Sequence, residues 1–377
     1  MSFERSIRKQ GSDLLALCHL RWNWVFQRPQ HLMRRAARSR RVFVLEEPIV
    51  GAHDAEMRMV TAERNLCVVT PYLPHGLSAS RSVEVQRALL DEWIEDVDLS
   101  LGTLWYYTPM ALPVTAHLEA ETVIYDCMDE LSAFAGAPDA LQVLERQLMQ
   151  RSHAVFTGGV SLYEAKCAFH PNVHAMPSCV EADHFRTARS FTSEPASQQH
   201  IGTPRLGFCG VIDERLDLEL VRGIAEARPD WNLVFVGPVT KIDEATLPTA
   251  PNIHYLGSQA YDSLPHFMSG WSVGLLPFAL NKATEFISPT KTPEYLAAGL
   301  QVVSTPIRDV VRSWGESGFV RIAGTVETFI DSIAAALRQQ DNAARLKRVD
   351  RTLALHSWDA TWQRMQDIMH VARVHAA

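Results

Sequence analysis

Lys291 and Glu294 stand three residues apart in the run Glu285-Phe-Ile-Ser-Pro-Thr-Lys-Thr-Pro-Glu-Tyr-Leu-Ala-Ala-Gly-Leu-Gln-Val-Val-Ser-Thr-Pro306. A mobile ammonium and a carboxylate at that spacing suit a ligand carrying both phosphate and sugar hydroxyls. The cation faces the phosphate, and the carboxylate accepts hydrogen bonds from the hydroxyls. The local pattern predicts a polar loop, a short helix and a buried strand. Thr292 reads as the N-cap, Pro293 as the first helical residue and Glu294 as part of the first turn. Gly299 ends the helix, and Gln301–Thr305 enters a sheet. Free backbone N–H groups and the helix dipole make the preceding loop able to hold an anion.

Two further segments carry groups that can do chemistry. Tyr125-Asp-Cys-Met-Asp-Glu130 follows an apolar strand, so Asp126 and Asp129 sit at a strand's carboxyl end, where α/β proteins build their sites. Asp126 could orient an acceptor or steady positive charge developing at a reacting carbon; Asp129 suits the cleft or a helix cap. Two carboxylates alone do not define a metal site. Cys18, Cys67, Cys127, Cys167, Cys179 and Cys209 are scattered without metal-ligand spacing and read as reduced thiols. No histidine cluster resembles His-Glu-x-x-His, so no metal or other cofactor is expected. The second segment, Arg21-Trp-Asn-Trp-Val-Phe-Gln-Arg-Pro-Gln-His-Leu-Met33, follows the first strand and lacks the glycines of a dinucleotide fingerprint. Its aromatic residues could form a hydrophobic plug with Arg28 at the surface, or the segment could face a cleft.

These groups need a scaffold, and the chain supplies an α/β one. Short apolar runs alternate with helical patterns. In the first half, Leu14–Cys18, Arg41–Leu45, Leu66–Thr70, Leu104–Tyr107, Val123–Tyr125 and Ala154–Thr157 read as strands, with helices near 29–38, 83–97, 139–150 and 162–169. Residues 186–203 are polar and read as a linker. The pattern restarts at Arg205-Leu-Gly-Phe-Cys-Gly210, with strands near 233–237, 253–256, 272–276 and 301–304 and helices near 218–227, 263–269 and 326–339. The reading is two doubly wound, Rossmann-like domains, 1–185 and 204–355, and a closing helix at 356–377. A length of 377 residues is enough for two cores. The net charge of −7 argues against a general nucleic-acid binder. The chain has neither a membrane-length apolar run nor an N-terminal secretion signal, so a cytoplasmic protein is expected. Arg34, Arg35, Arg38, Arg40 and Arg41 form a dense basic run, either a solvated helix face or a peripheral contact with the inner membrane surface.

The run from Glu294 resembles the donor-nucleotide signature of retaining, glycogen-synthase-like GT-B glycosyltransferases (family 4, group 1 type), in which a glutamate heads an "E-x-small-small-G-x-P-V-V" pattern. Phe26-Gln-Arg-Pro-Gln-His-Leu32 resembles the "F-Q-R-P-Q-H-L" opening of a bacterial subgroup. Pro177-Ser-Cys-Val-Glu-Ala-Asp-His-Phe185 is similar to the hinge that ends the first domain, with Ser178 and Cys179 in place of Asn and Gly. The resemblance implies transfer of a sugar from a nucleotide-diphosphate sugar to a carbohydrate or lipid-linked acceptor, in polysaccharide or glycolipid assembly and without an essential metal. It places Glu294 on the ribose, and Lys291 with the loop at Ser288, Thr290 and Thr292 on the diphosphate. It puts Gly210 close to the donor and Arg215, oriented by Asp213, on the phosphates; an arginine on a solvated first turn is the plainer alternative. It turns Gln27, Arg28 and His31 toward the cleft, with Asp126, His31 and Arg215 nearest the reaction. One departure concerns the superfamily's first glutamate: Phe286 holds its place, with Glu285 one step away, so either the loop carries an extra residue or the chain belongs to a branch with a "Ser-Pro-x-Lys" loop. A nucleotide-sugar epimerase and a catalytically idle sugar-nucleotide scaffold are the alternative functions.

Overall fold

In the first strand, Asp13–Cys18, every residue is buried. Side chains alternate across a strand, so Leu14, Ala16 and Cys18 enter one apolar cluster while Leu15 and Leu17 enter another. A strand buried on both faces belongs at the centre of a parallel sheet covered by helices. The computed structural model, which describes residues 12–191, 193–339 and 343–376, shows that arrangement. Among the described residues the first sheet has nine strands. Outward from Asp13–Cys18, one side runs through Val42–Glu46 to Leu66–Leu73, the other through Leu101–Tyr106, Thr122–Cys127 and Ala154–Thr157 to Val173–Ala175. All pairings are parallel except that of Glu56–Glu63, which lies antiparallel on Leu66–Leu73. The sequence pattern misses this edge strand because it is mostly exposed and carries little apolar alternation.

The second sheet has six described parallel strands, in the spatial order Ile253–Tyr255, Asn232–Val236, Arg205–Cys209, Val273–Leu276, Gln301–Ser304 and Val320–Ile322. Its order reverses between Arg205–Cys209 and Val273–Leu276, and the first sheet's between Asp13–Cys18 and Leu101–Tyr106. Ligands of such sheets collect at the carboxyl ends of the strands flanking the reversal.

The polar stretch 186–203 is no free linker. Ala188 and Ile201 join the second domain's core, and Gln198 is wholly buried. Gln198 donates to the Phe267 carbonyl at 3.0 Å and accepts from the Trp271 indole at 2.8 Å. Val180 and Phe185 also belong to that core, so the second domain begins before residue 185. The last helix, Trp358–Ala376, returns to the first domain and buries Trp358, Trp362, Met365 and Met369 beside Leu14 and Trp105.

Candidate functional site

The loop after Arg205–Cys209 is pinned on both sides. Ile212 N–H donates to the Pro238 carbonyl at 2.9 Å, and Ala279 N–H to the Arg215 carbonyl at 2.8 Å. Gly210 has φ +155°, and a Cβ on residue 237, next to it in space, would lie 1.9 Å from the Gly210 oxygen, so the two backbones meet only because residue 237 is glycine. Buried Asp213 receives the Arg215 backbone N–H at 3.0 Å, its Nε at 2.9 and 3.1 Å and its Nη2 at 2.7 Å. Burial opposes the guanidinium charge, but the Asp213 carboxylate outweighs it and raises the Arg215 pKa.

The helix Lys291–Ala297 begins one residue before the expected cap. Thr290 takes the cap position with helical dihedrals and no side-chain cap bond, and the Thr292 hydroxyl is buried without a partner inside the first turn. Gly299, at φ +91°, closes the helix. Lys291 Nζ donates to Glu294 Oε2 at 2.6 Å. Burial disfavours the ammonium, yet Glu294 holds it charged. Ser288 lies against Gly159 of the first domain, whose added Cβ would meet Ser288 Cβ at 2.9 Å. Glu285 is exposed, while Phe286 packs against an apolar cluster of the first domain. The aromatic residue at the missing glutamate's place is therefore a contact between domains.

The first domain disposes of its charges differently. Arg28 is 1 % exposed and Asp126 0 %. Arg28 Nε lies 2.9 and 3.0 Å from the Asp126 oxygens, Nη2 lies 2.8 Å from Oδ1, and Nη1 donates to the Met176 carbonyl at 2.7 Å. This pair fastens the strand to the start of the hinge, so neither residue is presented to a ligand. His31 is also interior, stacked on Trp358 at 4.6 Å and edge-on to Phe26 at 4.6 Å. Its Nδ1 is 3.6 Å from Glu181, and burial lowers its pKa. The reading of Asp126 and His31 as reacting groups gives way to structural roles, because each is enclosed by residues remote in sequence. Gln27 precedes the helix Arg28–Ala36, its N–H donating to Gln30 Oε1 at 3.0 Å.

Asp129 lies where charges of the two domains meet. Burial raises its pKa to about 6; Arg215 and Arg28 pull it down, while Asp213 adds to the rise. Among the described residues no hydrogen bond reaches its carboxylate, so it caps no helix. Three residues that the sequence reading did not single out, His19, Lys241 and Phe134, are linked to these charges. His19 directly follows the first strand, and burial together with Lys241 of the second domain lowers its pKa to about 4. Lys241 adopts φ +62°, a left-handed conformation rare outside glycine. Phe134 lies between Arg215 and Lys241, 5.5 and 5.0 Å away, and Ala135 N–H donates to Glu214 Oε1 at 3.1 Å across the cleft. Position after a strand was the available signal for His19; nothing local marked Phe134 or Lys241.

The basic run separates into individual pairs. Arg34 meets Glu63 at 2.5 Å, Arg35 and Arg38 share Asp359 at 3.0 and 2.5 Å, and Arg41 meets Asp13 at 2.5 Å. Arg40 approaches Thr103 Oγ1 at 3.5 Å. Among the described residues no helix is long and apolar enough to cross a membrane, and no group of three or more His, Cys, Asp or Glu could hold a metal ion.

Comparison with known proteins agrees with this layout. Residues 203–339 match the family described as "Glycosyl transferases group 1", a span holding Gly210, Asp213, Arg215 and Ser288–Glu294. The chain is 27 % identical over 219 residues to a Bacillus subtilis (strain 168) protein named "Putative teichuronic acid biosynthesis glycosyltransferase TuaH". That alignment covers 54 % of this chain and 55 % of the relative, so it spans about half the length of the curated protein it matches. A sucrose-phosphate synthase of Thermosynechococcus elongatus superposes with a TM-score of 0.71 at 11 % identity, covering 97 % of this chain and 100 % of that one. An α,α-trehalose-phosphate synthase of Burkholderia xenovorans gives 0.69 at 10 % identity over 96 % and 99 %. An Escherichia coli trehalose-6-phosphate protein bound with UDP-2-fluoro glucose gives 0.67 at 11 % over 95 % and 99 %. At these identities the structures speak to fold alone. The chain has the GT-B fold, and residues 203–339 of its second domain are similar to the group 1 glycosyl transferases.

Proposed function

We propose that this chain transfers a glycosyl group from a nucleotide-diphosphate sugar to an acceptor hydroxyl. One observation carries the reading: Arg215, on a carboxyl-end loop of the second sheet, lies close enough to Asp129 of the first domain to lower its pKa, and Lys291 lines the cavity between the domains beside Gly210. Arg215 can give bidentate bonds to phosphate oxygens, and Asp213 fixes the plane of its guanidinium beforehand. Lys291 supplies the second cation and Glu294 a carboxylate for ribose hydroxyls. Together they neutralise the charge that the leaving diphosphate gains as the glycosidic bond breaks. The stabilising role first assigned to Asp126 passes to Asp129, which is ionised above about pH 6 and can steady the positive charge developing at the anomeric carbon. The first domain supplies the acceptor side. Closure of the two domains over the donor would exclude water and limit its hydrolysis.

The likeness to a protein named for teichuronic acid biosynthesis favours a carbohydrate or lipid-linked acceptor in bacterial surface-polysaccharide or glycolipid assembly. Retention at the anomeric carbon follows from the resemblance of the donor motif, with acceptor attack on the leaving-group side. No metal or other cofactor is invoked, since the cations of the site are side chains.

The test is a thermal-shift screen of nucleotide diphosphates and their sugars. A ligand that binds only the folded state raises Tm by mass action, by about 2.7 kcal/mol of stability at a hundredfold excess over Kd. A shift with one nucleotide, enlarged by one of its sugars, is the expected result. Silence across the panel would overturn the reading.

A further inference from the structure

The cavity between the domains combines unlike surfaces. Lys291 contributes a cation beside Gly210. Val236 and Pro238 of the second domain and Trp22 and Trp24 of the first contribute apolar surface, with Arg34 also in the lining. Ser258–Ala260 give it a polar edge. A cation, flat aromatic surface and a polar edge in one cavity match a nucleoside diphosphate, whose base needs stacking and hydrogen bonds at its rim.

Trp24 stands out in this lining. It is 42 % exposed, while neighbouring Trp22 is 7 % exposed. The loop that carries it is held from both sides. Arg21 donates to Glu46 Oε2 at 3.0 Å and to the Glu47 and Pro48 carbonyls at 2.6 and 3.2 Å, and Trp22 N–H donates to Glu46 Oε1 at 2.6 Å. Gln30 Nε2 donates to the Trp22 and Val25 carbonyls at 2.8 and 3.1 Å. Phe26 then stacks on Tyr261 of the second domain, ring centroids 4.4 Å apart. The indole is thus an apolar face held in place on a braced loop, and ordering it again on binding costs little.

We propose that Trp24 is a nucleobase clamp supplied by the first domain, closing over the base of the donor whose phosphates the second domain holds. The inference deepens the donor assignment and rests on it. Every base has a π-face, so Trp24 contributes affinity without choosing the base, and that choice falls to the polar edge at Ser258–Ala260. Because clamp and floor belong to different domains, base binding itself draws the domains together.

Calorimetric titration with UDP, GDP and ADP, and with inorganic pyrophosphate as a phosphate-only probe, tests the proposal. For the diphosphate that wild type binds, Trp24→Ala should weaken affinity about tenfold, the effect of losing one base–aromatic stack. Pyrophosphate affinity should stay unchanged, and Trp24→Phe should restore most of the loss. Equal diphosphate affinity in wild type and Trp24→Ala would overturn the clamp while leaving the donor site intact. Equal losses for diphosphate and pyrophosphate would overturn it too, by showing a general effect on the cleft. If wild type binds none of the nucleotides, the donor reading falls and the clamp with it.

Discussion

At the carboxyl edge of the first sheet, Arg28 and Asp126 are sealed together, with side chains 2 % and 0 % exposed. At the same edge of the second sheet, Arg215 and Lys291 keep 24 % and 17 % of their side chains exposed while Asp213 and Glu294, 5 % and 6 % exposed, lie beneath them. Both edges use a cation on a carboxylate. Burial separates the roles: a fully enclosed pair has no face left for a ligand and serves as a strut, whereas a partly exposed cation on a buried carboxylate is oriented and still available.

Breaking the strut should have the largest effect. Arg28→Ala leaves Asp126 buried and unpaired, and should cost about 3–5 kcal/mol in urea unfolding. A loss below about 1 kcal/mol would end the comparison, because the pair would then be no more structural than an exposed one. The second-domain counterpart should move binding instead. Arg215→Lys keeps the charge but loses the planar fork that bonds Asp213 and phosphate together. Its nucleotide-diphosphate affinity should fall about tenfold, or ~1.4 kcal/mol, with Tm nearly unchanged. A large drop in Tm with affinity retained would reverse the assignment.

The third prediction sharpens the contrast between Asp126 and Asp129, three residues apart on one loop. Asp129 has a folded pKa of about 6, above the ordinary aspartate value, chiefly because of burial. The folded state therefore holds the extra proton between the two values, and stability declines as pH rises through about 6. Asp129→Asn should melt above wild type at pH 8 and close to it at pH 4. In wild type, kcat/KM should fall below about pH 6 as the carboxylate gains its proton, and the variant should lack that limb. An unchanged pH profile would remove Asp129 from the chemistry.

How much of this could be read beforehand depends on how local each relation is. The Lys291–Glu294 pair, the Gly299 stop and the Asp213–Arg215 contact span two to eight residues, where backbone geometry alone decides which groups can meet. The alternation of buried strands and amphipathic helices likewise shows in periodicity, and with it both sheets. The edge strand Glu56–Glu63 escaped because an exposed strand has no buried face to impose a pattern. Residues 186–203 were misread because polar composition says nothing of a glutamine such as Gln198, whose amide finds partners more than sixty residues away.

The amino-acid order by itself thus determined the two-domain α/β plan and the Lys291–Glu294 motif, since both depend on short-range spacing. Only the tertiary structure decided which charges are struts and which are free to act. Asp126 meets Arg28 across 98 residues of chain, His31 lies under Trp358 of the returning helix, and Asp129 faces Arg215 from the opposite domain. Whether a carboxylate holds its proton, or a cation can reach a phosphate, depends on the local dielectric and on neighbouring charges. Remote segments set both when they pack.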